Sequence, residues 1–435
     1  MPTSSEAAQS QASRSQASRS QAAQAQSSQI KSSQAKSSQT KTETASSVPY
    51  LKPGAAIGIV GGGQLGRMMA LSAKYMGFRI GILDPTEDCP AAQVGDFQIV
   101  SDYDDREAIK RLAERCDVLT YEFENVDADA LDNVADIVAI PQGTEILRAT
   151  QDRIAEKTFI NSCGVKTARW ESVESFEELS EKIEKIGYPA VLKTSRGGYD
   201  GHGQQVLKTP EDLETVRTSD VWGNAGQSEK KFPVSILEGF VDFKFEASVT
   251  VFGDGEEYFA FPLVKNVHKN NILHTTSAPA EVSDEIARQA ENLALKLAQG
   301  FKLAGTVTAE LFVTSDGLVV NELAPRPHNS AHYTIEACDM DQFDAHIRSI
   351  AGRPLRRPKL LSPAVMINVL GQHCEAVCAQ TPEHPEWNVH DYGKTDAKYN
   401  RKMGHITVLT ENPARAVRDL ELTGIWEERE DKAAN

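Results

Sequence analysis

The sequence lacks long hydrophobic runs, is short of positive charge and contains few cysteines. No apolar stretch approaches the roughly 18 residues that a membrane-spanning helix needs, which predicts a soluble protein without a membrane partner. Lys and Arg number 46 against 62 Asp and Glu, so the formal net charge is −16 and the chain is a poor candidate for coating a nucleic acid. Six cysteines in 435 residues are too few for a disulfide scaffold and indicate a reducing compartment, which we take to be the cytoplasm.

Two of the cysteines, Cys374 and Cys378, stand four residues apart beside His373 and His384. A zinc site is one interpretation of this grouping. Structural zinc takes four ligands, commonly from two well-spaced pairs, and the sequence offers one such pair. We therefore favour two thiols on one helix face, with no metal there.

Residues 1–50 form a Ser/Gln/Ala-rich tail with scattered basic residues. Such a composition cannot bury enough apolar surface to offset the entropy of ordering, so the tail is predicted to be disordered. A targeting leader is the alternative, because the tail is rich in serine and poor in acids, but it lacks an obvious Arg-rich amphipathic helix.

Residues 51–150 alternate strand-like and helix-like stretches, which predicts an α/β domain with a parallel, Rossmann-like sheet. The predicted strands are "AIGIV", "RIGILD", "FQIV", "DVLTY" and "DIVAI". Gly61, Gly63 and Gly66 follow the first strand in G-x-G-x-x-G spacing, and Asp84 ends the second. Taken alone, this pattern favours a nicotinamide dinucleotide. The alternative is a glycine turn that lets a helix pack close to a strand.

Cationic and glycine residues suited to nucleotide phosphates appear after residue 150. Arg153 and Lys157 lie one turn apart on a predicted helix, and Lys193 closes the strand "PAVLK". A loop with four glycines, between residues 197 and 203, follows that strand. Glycine lets backbone N–H groups approach phosphate oxygens, and a neighbouring lysine neutralises their charge. An ordinary glycine-rich hairpin is the alternative interpretation.

Two glutamates flank a junction that suits a nucleoside. Glu238 closes the strand "SILE" and Glu246 opens the next strand, with "EGFV" between them. An adenine ring needs an apolar slot and backbone partners, and its ribose needs a hydrogen-bond acceptor. We therefore expect an adenosine site here, although either glutamate would also suit a solvated strand end.

A second pair of glutamates lies on a predicted hairpin. Glu310 and Glu322 occupy comparable positions of two strands joined by the turn "TSDG", with Asn321 alongside. Because side chains alternate along antiparallel strands, both carboxylates can point into one cleft. Two such acids repel each other unless cations hold them, and magnesium carrying nucleotide phosphates is the usual occupant. A cluster suited to an anion follows directly: Arg326, His328, Asn329 and Ser330.

The order of these features resembles the ATP-grasp superfamily, whose members activate a carboxylate as an acyl phosphate. Several stretches together resemble one family within it, the N5-carboxyaminoimidazole ribonucleotide synthases: "GIVGGGQLGRMM", "YEFENV", "QDRIAEK", "RGGYDGHGQ", "LVKNVHKNNIL", "NELAPRPHNSAHYT", "PAVMINVLG" and "YGKTDAKYNRKMGHI". The resemblance runs from about residue 55 to about residue 425. It implies an ATP-grasp fold at residues 151–350, with a lid at about 165–240, after the Rossmann-like domain at 51–150. It also implies a small β-rich C-terminal domain at residues 351–435.

The resemblance also implies which residues bind which substrate. ATP would be bound by Arg153, Lys193, Gly198, Tyr199, Asp200, Gly201, His202, Gly203, Gln204, Glu238, Gly239, Phe240, Val241, Glu246, His268, Asn321 and Glu322. Aminoimidazole ribonucleotide would be bound by Gly63, Gln64, Leu65, Tyr199, Asp200, Arg326 and Asn329, and its 5′-phosphate by Lys394, Arg401 and Lys402. Glu310 and Glu322 would ligate Mg²⁺ or Mn²⁺.

The implied reaction is the ATP-dependent carboxylation of 5-aminoimidazole ribonucleotide by bicarbonate, through carboxyphosphate, to N5-carboxyaminoimidazole ribonucleotide in purine biosynthesis. Lys193 would stabilise the phosphoryl group during transfer, and Asp200 would orient or deprotonate the attacking amine. A carboxylate that merely stabilises the glycine loop is the alternative for Asp200. The family also implies a homodimer, and we expect a separate protein to convert the carbamate product.

The chain departs from the family pattern at two positions. His202 stands where the family usually has a basic residue, so its charge depends on pH near neutrality. Asn271 replaces a familiar glycine but tolerates the same left-handed backbone. Three other functions stay open at this point: ligases that join formate, glycine or biotin, an NAD-linked oxidoreductase, and a catalytically silent nucleotide-binding regulator.

Overall fold

Three β-sheets organise the computed structural model, which describes residues 48–197, 203–223 and 232–427. Within these ranges no helix combines the length and apolar content needed to cross a membrane. Most of the predicted tail, residues 1–47, lies outside the described ranges, and so does the loop segment 198–202.

The first sheet contains four parallel strands, β1 (Ala56–Val60), β2 (Arg79–Asp84), β3 (Phe97–Val100) and β4 (Val118–Tyr121), in the order β3–β2–β1–β4. Its helices are α1 (Gln64–Tyr75), α2 (Arg106–Ala113), α3 (Ala128–Asp132) and α4 (Glu145–Thr150). Buried strand residues pack under α1, as expected of a sheet covered by helices. The predicted parallel α/β domain is confirmed.

The fifth predicted strand, "DIVAI" at residues 136–140, is wrong. Only Ala139 forms a bridge, with Val118 of β4. The Ile137 side chain is exposed to solvent, so the segment does not bury all of its apolar residues as a central strand would. Pro141 follows at once and has no N–H group to extend the ladder.

The second sheet, which we call the lid sheet, is antiparallel with the order β5–β8–β6–β7: β5 (Trp170–Val173), β6 (Ala190–Thr194), β7 (Gln204–Leu207) and β8 (Ser235–Gly239). Helix α5 (Arg153–Ser162) precedes this sheet in the chain. Helices α6 (Phe176–Ile186) and α7 (Asp212–Thr218) connect its strands and pack against them. Leu179, Ile183 and Ile186 recur at helical spacing and bury one face of α6 against the strands.

The third sheet has nine strands: β9 (Phe245–Asp254), β10 (Tyr258–Ala260), β11 (Val264–Lys269), β12 (Ile272–Ala278), β13 (Ala304–Thr314), β14 (Gly317–Ala324), β15 (Ala364–Leu370), β16 (Asn388–Asp391) and β17 (Lys402–Leu409). Their order is β14–β13–β9–β11–β12–β15–β17–β16, with β10 beside β9. The strands of residues 351–435 therefore continue the sheet that carries the predicted metal hairpin.

Helices α8 (Asp284–Phe301), α9 (Thr334–Ala337), α10 (Gln342–Ile350), α11 (Cys374–Gln380) and α12 (Pro413–Glu421) complete the described chain. Leu293 and Leu297 of α8 pack on the nine-stranded sheet, and Phe343 of α10 packs against Met69 of α1. Cys374 and Cys378 both lie on α11 as free thiols. Across the described ranges, no group of three or more His, Cys, Asp or Glu side chains is arranged to hold a metal.

Candidate active site

The glycine turn between β1 and α1 is filled by a carboxylate of the protein itself. Glu122, directly after β4, accepts hydrogen bonds from the backbone N–H groups of Gly63 at 2.5 Å and of Leu65 at 3.2 Å. Gly61 has φ +109°, and a Cβ at this residue or at Gly63 would meet the Glu122 side chain. Burial raises the pKa of this carboxyl, and the N–H groups of the turn act to lower it. Glu122 thus takes the donors that a dinucleotide pyrophosphate needs.

Asp84, the other element of the dinucleotide pattern, is also engaged internally. It accepts hydrogen bonds from Gly62 N at 2.8 Å, from the Tyr103 hydroxyl at 2.7 Å and from Thr86 N at 2.8 Å. A ribose would have to displace these partners. The nicotinamide interpretation of the turn therefore finds no support in the geometry.

The predicted hairpin forms, and it pairs the two metal-binding candidates directly. Glu310 of β13 lies opposite Glu322 of β14, and the register shifts immediately afterwards so that Leu311 pairs with Val320. Asn321 is the extra residue of this β-bulge, a feature that commonly redirects a side chain beside an active site. Directly opposed residues of an antiparallel pair point to the same face, so both carboxylates project together.

Each of these carboxylates has a nitrogen of a basic side chain beside it. Arg153 Nη1 lies 2.9 Å from Glu322 Oε2, and His328 Nε2 lies 3.1 Å from Glu310 Oε1. Burial acts to raise the pKa of Glu310, but the hydrogen bond and charge of His328 outweigh it and lower that pKa to about 2. The Glu310 carboxylate is therefore ionised at neutral pH and can only accept hydrogen bonds.

Lys193 lies near the end of β6, as predicted, and its Nζ is 2.9 Å from Glu238 Oε2 on the neighbouring strand β8. Lys157 of α5 lies 3.3 Å from the other oxygen of the same carboxylate. Burial acts to raise the pKa of Glu238, and the two lysine charges outweigh it and lower the pKa to about 2. The Glu238 carboxylate thus contacts two ammonium groups, one from the neighbouring central strand β6 and one from α5.

The candidate adenosine site lies where β8 ends and β9 begins. Gly239 ends β8, Phe240 after it is half exposed, and Val241 is partly buried. His268 of β11 contacts Glu246 of β9, with Nδ1 2.6 Å from Oε2. Burial lowers the pKa of His268, but the Glu246 carboxylate outweighs it, so the net shift is upward.

The anion cluster after β14 is anchored from two sides. Arg326 donates to both Glu124 oxygens, with Nε 2.7 Å from Oε2 and Nη2 3.4 Å from Oε1. Asn329 is buried, and its side-chain oxygen has no hydrogen-bond partner among the residues that the structure describes. Such an atom is costly unless a ligand or water completes it.

A chain of buried polar side chains leads from β11 and β9 to His328, the histidine that contacts Glu310. Ser330 Oγ lies 2.6 Å from Ser248 Oγ and 2.8 Å from His328 Nδ1. Asn266 donates to Ser248 at 2.9 Å. His328, the partner of Glu310, therefore has a fixed orientation.

The phosphate candidates of the C-terminal segment lie together at the start of β17. Lys394 Nζ donates to the Lys402 carbonyl at 2.7 Å, and Arg401 precedes Lys402 in the chain. Burial and the charges of Arg401 and Lys402 lower the pKa of Lys394 to about 8, and Glu122 acts in the opposite direction. The influence of Glu122 on Lys394 links this cluster electrostatically to the glycine turn.

Part of the predicted flap lies outside the described residues, namely Gly198, Tyr199, Asp200, Gly201 and His202. The positions around it are described. Gly203 has φ +71°, a conformation that favours glycine, and Gln204 begins β7 as an exposed residue.

Sequence reasoning missed the roles of three glutamates. Glu122 and Glu124 both belong to "YEFENV", and Glu156 belongs to "QDRIAEK". Glu156 is buried and accepts a hydrogen bond from Leu323 N at 2.7 Å. Acidic residues directly after a buried strand, and an acid on the apolar side of a helix, were the available signals.

Three family matches cover most of the described chain. Residues 55–151 match the ribonucleotide synthetase preATP-grasp domain, residues 158–343 the ATP-grasp domain, and residues 364–419 the phosphoribosylaminoimidazole carboxylase C-terminal domain. The N5-carboxyaminoimidazole ribonucleotide synthase of Bacillus subtilis (strain 168) is 44% identical over 380 residues, which are 87% of this chain and 97% of that protein. The enzyme of the same name from Staphylococcus aureus (strain MRSA252) is 43% identical over 377 residues, which are 85% of this chain and 96% of that protein.

Solved structures agree with these relatives. The Staphylococcus aureus N5-carboxyaminoimidazole synthetase complexed with ADP superimposes with a TM-score of 0.80 at 41% identity, over 87% of this chain and 100% of that one. The Aspergillus clavatus enzyme in complex with ADP and 5-aminoimidazole ribonucleotide gives a TM-score of 0.77 at 31% identity, over 85% and 98%. The resemblance predicted from the motifs is confirmed, and the chain belongs to the N5-carboxyaminoimidazole ribonucleotide synthase family of ATP-grasp ligases.

Proposed function

We propose that ATP binds between the lid sheet and the nine-stranded sheet and drives the carboxylation of 5-aminoimidazole ribonucleotide by bicarbonate at this site. As a member of its family, the chain is a ligase of purine biosynthesis that forms N5-carboxyaminoimidazole ribonucleotide with ATP as co-substrate. The observation that carries the placement is the direct pairing of Glu310 with Glu322 beside Arg153. Lys193 of the lid sheet is paired with Glu238, which also contacts Lys157.

Magnesium, or manganese, fits the donor set at Glu310 and Glu322. Hard divalent cations prefer carboxylate oxygens, and nucleotide-bound magnesium commonly takes one or two carboxylates together with phosphate oxygens. Two opposed carboxylates, one of them with a pKa of about 2, match that requirement. Once bound, the cation supplies positive charge that offsets the negative charge of the transferring phosphoryl group.

The remaining nucleotide contacts follow from the positions of the cations. Arg153 and Lys193 would donate to phosphate oxygens, and residues 198–204 would close over them and exclude water. The end of β8 with Phe240 and Val241 would hold adenine, Glu246 with His268 the ribose, and Asn321 would lie alongside. Glu238 would contribute backbone groups, because its carboxylate is already paired.

The ribonucleotide would lie against the glycine turn. Gly63, Gln64 and Leu65 at the start of α1 would contact it, although the Gly63 and Leu65 N–H groups are paired with Glu122, and the Lys394 cluster would bind the 5′-phosphate. Arg326 and Asn329 would complete this surface, since the unpaired side-chain oxygen of Asn329 can accept a hydrogen bond from a ligand.

The chemistry needs one activation and one proton acceptor. A bicarbonate oxygen attacks the γ-phosphorus of ATP, ADP leaves, and carboxyphosphate forms. The exocyclic amine then attacks its carboxyl carbon, or carbon dioxide released from it, and phosphate leaves. Asp200 is our candidate for accepting the amine proton, with Tyr199 beside it.

The domain bounds are also proposals: a tail at residues 1–50, a Rossmann-like domain at 51–150, an ATP-grasp domain at 151–350 and a C-terminal domain at 351–435. The three family matches support the internal boundaries. Bicarbonate as carboxyl donor, a homodimer and a cytoplasmic location rest on the family resemblance. Light scattering of the purified protein would test the dimer by its mass.

Phosphate release tests the assignment. We expect wild-type protein with ATP, magnesium and bicarbonate to release phosphate strongly when 5-aminoimidazole ribonucleotide is added, and not with formate or glycinamide ribonucleotide. Glu310→Ala should lower the rate of this release by on the order of a thousandfold. Glu336→Ala is the matched control, because Glu336 also pairs with a histidine, His390 at 2.6 Å, away from the hairpin. Stimulation by a rival substrate alone would refute the substrate assignment.

A further inference from the structure

Helix α5 contacts three consecutive residues of the metal-binding strand β14 through polar side chains. The contacts are Lys157 Nζ to the Asn321 carbonyl at 2.6 Å, Arg153 to Glu322 at 2.9 Å, and Glu156 to the Leu323 N–H group at 2.7 Å. Asn321 is the bulged residue and has no partner in the β13–β14 register, and a buried carbonyl needs a hydrogen-bond donor. Lys157 supplies that donor.

Lys157 is the member of this set that also reaches the lid sheet. Its ammonium group is 3.3 Å from Glu238 on β8, and its side chain is 1% exposed, against 6% for Glu238. One buried ammonium group therefore contacts both the strand that carries Glu322 and the strand beside Lys193.

Glu238, Lys157 and Lys193 together carry more positive than negative charge. Glu238 is one carboxylate, and Lys157 and Lys193 are two ammonium groups, each on a different carboxylate oxygen. If Lys193 turned towards an incoming phosphate in the absence of Lys157, the buried Glu238 carboxylate would have lost both ammonium groups that contact it. Leaving a buried charge unpaired is strongly unfavourable. With Lys157 present, Glu238 stays paired and Lys193 can leave it at little cost.

We propose that Lys157 is a positioning residue that keeps the Glu238 carboxylate neutralised, so that Lys193 is free to bind nucleotide phosphate, and that fixes β14 relative to the lid sheet. This inference rests on the proposed contact between Lys193 and the phosphates. Lys157 itself does not need to touch the nucleotide.

Nucleotide affinity of the full-length protein tests the inference, measured by calorimetric titration with ADP. We expect Lys157→Met and Lys157→Gln to raise the Kd by about tenfold or more, and Lys157→Arg to stay within about threefold of wild type. Gln keeps a donor for the Asn321 carbonyl, so it removes the charge alone and gives a result even if the Met variant does not fold.

A double-mutant cycle separates this role from a merely structural one. In a Glu238→Gln background no carboxylate competes for Lys193, so adding Lys157→Met should change the Kd by less than about threefold. Lys182→Met is the matched control, because Lys182 also contacts one carbonyl, Ser172 O, and one carboxylate, Glu178, within the lid. It should leave the Kd unchanged.

Three results would overturn the inference. The Lys157→Gln Kd within twofold of wild type would do so, and so would equal losses in both Glu238 backgrounds. Lys193→Met is the third case: if it binds ADP as wild type does, the proposed phosphate contact fails and the role of Lys157 fails with it. Absence of ribonucleotide-stimulated phosphate release by wild-type protein would instead reject the proposed function.

Discussion

The Glu122 carboxylate lies 2.5 Å from the backbone nitrogen of Gly63 and caps the first turn of α1. A carboxylate at a helix N-terminus is stabilised by the exposed N–H groups and by the helix dipole. The same donors would hold a dinucleotide pyrophosphate. We therefore expect no saturable binding of NADH, measured by its fluorescence during titration with protein. Saturation at one NADH per chain would contradict the structural role of Glu122.

Glu122→Ala leaves the N–H groups of Gly63 and Leu65 without their acceptor. We expect a loss of about 1 to 3 kcal/mol in the free energy of unfolding, measured by urea denaturation. Glu87→Ala, at an exposed position after β2, is the control and should change the free energy by less than about 0.5 kcal/mol. Equal effects of the two substitutions would show that the cap contributes nothing.

We predict that Lys394 makes ribonucleotide binding depend on pH. Burial and the charges of Arg401 and Lys402 lower its pKa to about 8, so the ammonium group is present below pH 8 and lost above it. A 5′-phosphate is already a dianion in this range, since its second pKa is about 6. We expect the KM for 5-aminoimidazole ribonucleotide to rise several-fold between pH 7.5 and 9.5.

Lys394→Arg provides the comparison, because a guanidinium stays charged throughout. Its KM should vary less than that of wild type across the same pH range. A wild-type KM that is flat between pH 7.5 and 9.5 would argue against Lys394 as a phosphate ligand.

Glu156 makes stability depend on pH with a sign opposite to that of an ordinary paired carboxylate. Burial raises its pKa to about 8, from 4.5, although Lys157 acts to lower it. The folded chain therefore keeps a proton that the unfolded chain releases, and stability falls as pH rises from about 4.5 to 8. Glu156→Gln removes this titration and should stabilise the protein by about 2 kcal/mol at pH 8, with little change at pH 5.

Urea denaturation at pH 5 and pH 8 measures both free energies. Glu178→Gln is the control, because its hydrogen bond to Lys182 lowers the pKa of Glu178 and places its titration below this window. A Glu156→Gln protein with the same pH slope as wild type would show that another group causes the slope.

Ser330 should affect the magnesium requirement through His328. Its hydroxyl contacts His328 Nδ1, and His328 Nε2 contacts Glu310, so Ser330→Ala frees the imidazole to change orientation. We expect the magnesium concentration for half-maximal activity to rise several-fold, as is typical when the partner of a ligand-orienting histidine is lost.

Thr250→Ala is a suitable control because Thr250 forms a similar buried hydroxyl pair, with Thr308 at 2.7 Å, on the same sheet. Both substitutions should cost about 1 to 2 kcal/mol of stability. Only Ser330→Ala should change the magnesium dependence. The same change in Thr250→Ala would contradict a specific role of Ser330 in orienting His328.

Local patterns in the sequence were sufficient to predict the elements that carry the site. The hairpin with Glu310 opposite Glu322 follows from alternation around a "TSDG" turn, and the glycine turn before α1 follows from G-x-G-x-x-G spacing. What occupies that turn depends on Glu122, 59 residues beyond Gly63 in the chain. No local pattern encodes such a contact, so the dinucleotide interpretation remained open until the fold was known.

Contacts between distant segments account for the other differences. Arg326 stays a predicted anion ligand, and its contact with Glu124 was not predicted because Glu124 lies 202 residues away in the chain. Lys157 was predicted only to be a cation one turn from Arg153. Its partners Asn321 and Glu238 lie far away in the chain, on two different sheets. The wrongly predicted strand "DIVAI" is an apolar run that satisfies a local pattern. It pairs with β4 only at Ala139, so it does not form a full strand.

The nine-stranded sheet limits how this enzyme can be divided or recombined. β12 pairs with β15 from Thr275 opposite Ile367 to Ala278 opposite Ala364, so a chain cut after residue 363 would expose an unpaired edge on each fragment. Open strand edges promote aggregation. The C-terminal segment therefore cannot be exchanged as an independent unit, and a chimera with a related enzyme would have to preserve this ladder register as well as the lysines proposed to bind phosphate.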